Sequence, residues 1–319
     1  MRLKNIDLFK GILIVLVILG HVLQGKMDEA IWRTIIYSFH MPLFIGISGF
    51  LFSVDRVVGI NLIALIKKYL FRVIIPWTIA VVIYFSLSII QNDNLNVLTG
   101  LIKSFISPFY HLWFIPGFLS WIVLTWILKK IITGDKLLLI IGLLISVFSI
   151  VLKKYPEIYQ DIGVLNSGIR LVLHTFRPYF YFFFVFGIIY KRLELKKPRI
   201  FEYILPLICF VFVINLFYSP NKLLWTINFF LFNSFLLSLT LKVSANNLIR
   251  GNKTIEWIGL NSLAIYLWHV LPILVCKFAI GTENLTIFYS VTIFMELVFL
   301  IAYYYLLRIN ILRKYVFGM

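Results

Sequence analysis

Charge is scarce in this sequence, and negative charge most of all. Asp and Glu number 13 and Lys and Arg 30 in 319 residues, so 13% of the chain is charged. That is too little to cover a water-facing surface, which excludes a soluble globular enzyme. Cysteine is nearly absent too. Cys209 and Cys276 both fall inside apolar runs, so no disulfide framework is implied. There is no Walker loop, no dinucleotide-binding glycine fingerprint, no Cys/His metal spacing and no Gly-x-Ser-x-Gly elbow, which leaves those chemistries without their residues. A polar linker is also missing, and so is a clear internal repeat. The first apolar run is not followed by a small-residue cleavage site and reads as a retained span.

What is present is apolar. Hydrophobic residues make up 61% of the chain, and the mean hydropathy is +0.98. Runs long enough to cross a bilayer recur from end to end, which predicts an all-α fold: a polytopic membrane bundle of about ten transmembrane helices. The spans are expected near 8–24, 31–53, 70–90, 110–129, 137–152, 170–190, 201–218, 223–242, 255–276 and 285–307, the fifth being short. The longer connections are 54–69, 91–109, 153–169 and 243–254. "NLIALIKKYL" (61–70) reads as an amphipathic segment lying on the membrane. The net charge of +17 does not point to nucleic acid, because the cations punctuate the runs rather than forming a patch. Most of them fall on one side of the ten-span arrangement, which places both termini in the cytoplasm.

Within "KGILIVLVILGH" (10–21), a cation and an imidazole bracket a lipid-soluble run. Eleven helical steps return to within about 20° of the starting face and climb roughly 16 Å. Lys10 and His21 therefore share a face, and Asp7 joins it. An interfacial lysine and a packed histidine explain the pair equally well. The other histidines, His40, His111, His174 and His269, also fall in the outer half of the expected spans, which favours a shared polar cavity.

Ionisable groups inside a span favour function. Glu296 lies near the middle of the tenth span and Arg177 near the outer end of the sixth, although each can instead satisfy a partner within the bundle. In "NSLAIYLWH" (261–269), Ser262, Tyr266 and His269 form one helical stripe. Such a stripe can orient a proton-transfer base or act as a hydrogen-bonded helix seam. "YSFHMPLFIGISGFLF" (37–52) joins His40 to Pro42 and to the small residues Gly46, Ser48 and Gly49, whose spacing permits close helix approach. "HLWFIP" sets His111 beside Trp113, a ring suited to an aromatic belt or to a sugar. Lys67, Lys68 and Arg72, with Lys10, can hold an anionic ligand such as a nucleotide phosphate; anchoring by inside-positive charge explains them as well.

The ordered set "IDLFKGILIVLVILGH", "YSFHMPLFIGISGFLF", "KKYLFRVIIPW", "HLWFIPGFL" and "IGLNSLAIYLWH" resembles the acyltransferase-3 family of bacterial membrane proteins, nearest to its fucose 4-O-acetylase-like branch. The resemblance runs over the whole chain. It implies one integral-membrane acyltransferase domain (1–319) in the bacterial cytoplasmic membrane. Its activity would be transfer of an acyl group, usually acetyl, from acyl-CoA to a hydroxyl of a surface glycan or its lipid-linked precursor. No bound cofactor or metal is implied; acetyl-CoA is the donor co-substrate, and the partners are membrane lipid and glycan.

The family's Arg, ten residues, then His is matched at His21 and replaced at Lys10, which keeps the charge but loses the bidentate fork. Its Arg-x-x-Arg is matched at Arg72 alone, with Tyr69 in the first place and Lys67 and Lys68 nearby. The resemblance thus implies donor contacts at Lys10, Arg72, Lys68 and Lys67, and catalysis by His21 with His269, His40 and Tyr266. Trp113, His111, Ser48, Ser262, Glu296 and Arg177 remain for the acceptor. Some relatives carry an extra esterase-like domain; none is expected here, because the chain ends about a dozen residues after the tenth span. A glycan or lipid-linked-sugar transporter, with the polar layer as its path, is the rival reading.

Overall fold

Backbone groups in lipid find no water, so each crossing segment must satisfy its own N–H and C=O groups, and the helix does so. A computed structural model describes residues 4–91, 96–193 and 195–319, and among these every regular element is helical. The helices are α1 Lys4–Val22, α2 Ile31–Leu51, α3 Val54–Val58, α4 Leu62–Tyr69, α5 Ile75–Gln91, α6 Val97–Ile106, α7 Phe114–Ile131 and α8 Asp135–Lys154. They continue as α9 Val164–Thr175, α10 Tyr181–Tyr190, α11 Ile200–Tyr218, α12 Lys222–Ala245, α13 Lys253–Leu260, α14 Ser262–Trp268, α15 Val270–Ile280 and α16 Leu285–Leu306. Among the described residues nine helices are long and apolar enough to cross a membrane, or ten when the pair Leu165–Thr175 and Pro178–Tyr190, bent by 44°, counts as one. The chain is a polytopic helical membrane protein.

Four details differ from the sequence-based expectation. Residues 62–69 do not form a separate surface segment: α4 runs through a π-helical turn, Leu70–Ile74, into α5, giving one apolar helix over Leu62–Ile90. The fifth span is not short, because Asp135 and Lys136 at one end and Lys153 and Lys154 at the other are drawn into α8; long basic side chains reach the interface from inside a helix. The sixth span breaks at Arg177, which adopts a left-handed φ of 44° before Pro178; the residue before a proline is disfavoured in the right-handed helical conformation, so the first segment ends there. The connection at 91–109 contains α6, and residues 92–95 of it lie outside the described residues.

The described chain forms two compact units, one of Met1–Phe52 with Phe186–Tyr303 and one of Ser53–Val185 with Tyr304–Met319. In the first unit, α1 and α13 pack backbone against backbone. A Cβ on Gly11 would sit 2.0 Å from the Ile255 carbonyl oxygen, and one on Gly259 would sit 1.8 Å from that of Asp7. Only hydrogen fits at those two places. The α2 helix carries Pro42 without breaking. Proline lacks the N–H that would have bonded the carbonyl four residues back, and the Asn233 amide of α12 donates to that Ser38 oxygen instead, at 2.9 Å. Gly46, read from sequence as a close-approach residue, lies against Leu237, and its carbonyl faces Gly187.

In the second unit, π-helical turn Leu312–Val316 packs on the start of α5: Lys314 Nζ lies 5.1 Å from the Phe71 ring centre, and Phe71 and Tyr315 meet edge to face at 6.1 Å.

Candidate active site

Three of the five histidines converge in the first unit. His21 closes α1, and its Nδ1 lies 3.2 Å from the Tyr37 hydroxyl of α2. The His21 and His269 rings are 5.2 Å apart, centre to centre, and the Tyr37 and His40 rings 4.9 Å. Tyr266 stands 5.8 Å from His269. Tyr37 reaches α1 because the residue beside His21 is Gly20: a Cβ there would meet the Tyr37 ring at 2.9 Å.

The three imidazoles are not equivalent. His40 and His269 are buried, and each has Nδ1 on a carbonyl oxygen of its own helix, Ile36 at 2.6 Å and Tyr266 at 2.8 Å. A carbonyl only accepts, so Nδ1 is the protonated nitrogen in both and Nε2 keeps its lone pair. His21 alone of the three is partly accessible, and its Nδ1 partner is a side-chain hydroxyl rather than backbone. A group that must meet an incoming substrate needs such access. His21 has it.

At the other end of α1, Lys10 pairs with Asp7 at 3.7 Å, both side chains less than a fifth exposed. The Asp7 backbone lies against Gly259, so the pair is seated at the α1–α13 contact. The two predicted poles of the α1 face are therefore present, roughly 16 Å apart along one helix.

Ser262 and Tyr266 are buried in α14. The stripe they were expected to form with His269 survives a junction, since His269 N–H still bonds the Ile265 oxygen at 2.9 Å before α15 begins. Ser48 is satisfied by its own helix, donating to the Phe44 oxygen at 2.8 Å. Glu296 is buried within α16.

The remaining candidates lie in the second unit. His111 is buried with its ring edge-on to Tyr84 at 5.0 Å. The Trp113 ring stacks on Phe180 at 5.5 Å, and the Arg177 guanidinium lies 3.9 Å from its centre. Arg177 also donates to the His174 carbonyl at 3.2 Å. Arg72 belongs to the π-helical turn between α4 and α5, and Lys68 lies 5.7 Å from the Tyr69 ring centre. Lys67 shares the last turn of α4.

Sequence reasoning missed Tyr37, the hydroxyl that engages His21. Its spacing three residues before His40 was a usable signal, since that interval sets two side chains on one helix face.

Comparison with known proteins gives a consistent result. Nodulation protein NolL of Mesorhizobium japonicum is 33% identical over 135 residues, 38% of this chain and 34% of that protein. NolL of Sinorhizobium fredii is 50% identical over 54 residues, 15% of each. An amino-acid racemase of Enterococcus faecalis is 30% identical over 150 residues, 43% of this chain and 21% of that protein. The chain thus spans about a third or less of the length of these curated relatives. No solved structure matches. The acyltransferase-domain family, acyltransferase-3, matches residues 3–307 and so spans both compact units; the chain belongs to this family of membrane acyltransferases.

Proposed function

We infer that the protein is a membrane O-acyltransferase of the bacterial cytoplasmic membrane, a single acyltransferase domain that moves an acetyl group from acetyl-CoA to a hydroxyl of a surface glycan or its lipid-linked precursor. The observation that carries this reading is the His21–Tyr37 contact at 3.2 Å, on the face of α1 that also bears Lys10. With Nδ1–H donating to the Tyr37 oxygen, His21 Nε2 is the base. It takes the proton of the acceptor hydroxyl as that oxygen attacks the thioester carbonyl carbon. The C–S bond breaks, and the proton passes to the departing thiolate to give free CoA. A positioned base is needed because a sugar hydroxyl is a poor nucleophile until its proton leaves. His40 and His269, buried and fixed to backbone carbonyls, hold the cluster together, and Tyr266 backs His269.

The donor assignment follows the charge. Lys10 holds a CoA phosphate at one end of the α1 face while the pantetheine arm reaches His21. Arg72, Lys68 and Lys67 keep their assignment to the same donor. Lys10→Ala and Arg72→Ala are each expected to raise the apparent KM for acetyl-CoA about tenfold with little change in acceptor KM, the loss of one charge-assisted contact. Lys10→Arg is expected to stay active, since a guanidinium restores both the charge and a fork. Donor dependence unchanged in both alanine variants would return these residues to membrane anchoring.

The test of the reaction is acetyl transfer by the purified protein, with acetyl-CoA and a surface glycan, read by mass spectrometry of the product. Glycan moved across a vesicle without covalent change would replace the reading with transport. Orientation is checked separately. A cysteine placed at residue 195 is expected to label only from the cytoplasm and one at residue 160 only from outside, following the charge bias. Both labelling from outside would overturn the ten-span arrangement.

A further inference from the structure

Glu296 and Thr292 are one turn apart on α16 and 4% and 0% exposed. Neither carboxylate oxygen of Glu296 nor the Thr292 hydroxyl has a hydrogen-bond partner among the described residues. Buried polar groups are almost always satisfied, and a buried carboxylate is the costliest kind to leave alone. A hydroxyl and a carboxylate unsatisfied side by side mark a place where something else supplies the donors.

The register of α16 gives the direction in which they point. Two tyrosines tie this helix to the rest of the first unit. The Tyr289 hydroxyl accepts from the Gln24 N–H, just beyond the end of α1, at 3.2 Å. The Tyr303 hydroxyl donates to Asn261 Oδ1, at the α13–α14 junction, at 3.2 Å. Tyr289, Glu296 and Tyr303 are spaced seven and seven apart, which rotates the side chain by only about 20° per step. Glu296 therefore faces the way both tyrosines face.

Its depth follows from the same ties, roughly 10 Å along the axis from each. His269 lies about 12 Å beyond Asn261 on α14, and His21 about 5 Å before Gln24 on α1. Helical side chains lean toward their own N-terminus. On the oppositely running α1 and α16, this brings the His21 imidazole and the Glu296 carboxyl toward a common level.

We propose that Glu296 and Thr292 form the subsite that receives the acceptor, and that it takes a neutral polyhydroxylated sugar. Two adjacent sugar hydroxyls donate to the carboxylate, a third group meets the Thr292 hydroxyl, and sugars carrying their own carboxylate or phosphate are excluded. Hydroxyls delivered by the sugar hold the Glu296 carboxyl in its ionised form, which only accepts, so its natural ligand is a cluster of O–H donors. A second negative charge brought beside it in a low-dielectric interior is strongly repelled. This deepens the acyltransferase reading and rests on it for the word acceptor.

The test uses matched methyl hexosides and methyl hexuronosides in gluco, galacto and manno configurations. Their affinities for the purified full-length protein in lipid nanodiscs are measured by ligand-observed NMR, and in parallel each sugar is offered for acetyl transfer from acetyl-CoA. The wild type is expected to favour a neutral sugar over its acid partner by on the order of a hundredfold. Glu296→Gln keeps the size and hydrogen-bonding of the side chain, and the preference should fall below about tenfold with the acetyl-CoA KM unchanged.

Thr292→Val should weaken neutral-sugar binding several-fold with that KM likewise unchanged, and it reads the same subsite if the Gln variant does not fold. A wild type that binds no neutral sugar, or binds both members of a pair alike, overturns the proposal. So do a preference untouched by Glu296→Gln and a Thr292→Val variant that binds as the wild type does. Selective binding of neutral sugars without transfer of acetyl to any of them leaves the subsite standing and removes the acyltransferase reading.

Discussion

Replacing His21 by alanine is expected to lower acetyl transfer about 10²- to 10⁴-fold, the usual contribution of a positioned general base. Insertion and thermal stability should stay near wild type, because the side chain is only partly buried and its partner is a hydroxyl that water can satisfy. His21→Gln separates the possible roles. Glutamine still meets the Tyr37 hydroxyl but has no lone pair of useful basicity, so it should be as inactive as alanine. Tyr37→Phe removes the 3.2 Å contact that orients the imidazole, so its loss should be smaller and fall on kcat rather than on the acetyl-CoA KM. The measurement is initial-rate acetyl transfer by purified variants, with melting temperatures taken alongside. A glutamine variant of near wild-type activity would remove the base assignment and leave His21 a binding residue.

The second large effect is expected at Gly259. Its missing Cβ would lie 1.8 Å from the Asp7 carbonyl oxygen, and a backbone atom cannot swing aside as a side-chain end can. Gly259→Ala must therefore push α13 away from α1, at the upper end of overpacking costs, about 3 kcal/mol or more. The helix that α13 is pushed from, α1, carries Lys10 and His21, so activity should fall with stability. Gly168→Ala is the matching control. Gly168 lies inside α9 with open space where its Cβ would be, and alanine there should stabilise by about 0.4–1 kcal/mol. Detergent-solubilised protein followed by thermal unfolding reads both. A Gly259→Ala protein that melts with the wild type would mean that the α1–α13 contact is looser than drawn.

The spans were legible because lipid leaves little choice: about 20 apolar residues make one crossing, and the chain supplies such runs with basic residues between them. What escaped were the interruptions. Nothing in "IGLNSLAIYLWH" separates α13 from α14, since Asn261 breaks the helix through its own contacts, its amide on the Trp257 oxygen and its oxygen under the Tyr303 hydroxyl. The join of α4 to α5 was hidden for the opposite reason. "NLIALIKKYL", with Lys67 and Lys68, reads as an amphipathic segment lying on the membrane, yet lysine is compatible with a continuing helix.

For the site, the Lys10–His21 face followed from helical geometry alone. Of the five histidines, three meet in the first unit, and His111 and His174 belong to the second. Depth can be counted along one helix, but which helices come together is a long-range fact that no local period encodes. The α16 stripe shows the same limit. The seven-residue spacing of Tyr289, Glu296 and Tyr303 is plain in the sequence, but it acquires a direction only once Gln24 and Asn261 are known to receive the two tyrosines.

The unbroken helix from Leu62 to Ile90 has one further consequence. At 29 residues it is about 43 Å long, more than a 30 Å hydrocarbon layer holds even at the steepest common tilt. At the average tilt of about 20° some two turns stand outside that layer, and Lys67 and Lys68 set the excess at the first end, in the wet, high-dielectric zone. Besides any contact with the bound donor, charges held there act at a distance on a polyanion still in solution. Their influence reaches about one Debye length, some 8 Å at physiological ionic strength. The frequency with which a polyanionic donor arrives thus becomes a property of the surrounding salt, set before any contact in the site is made.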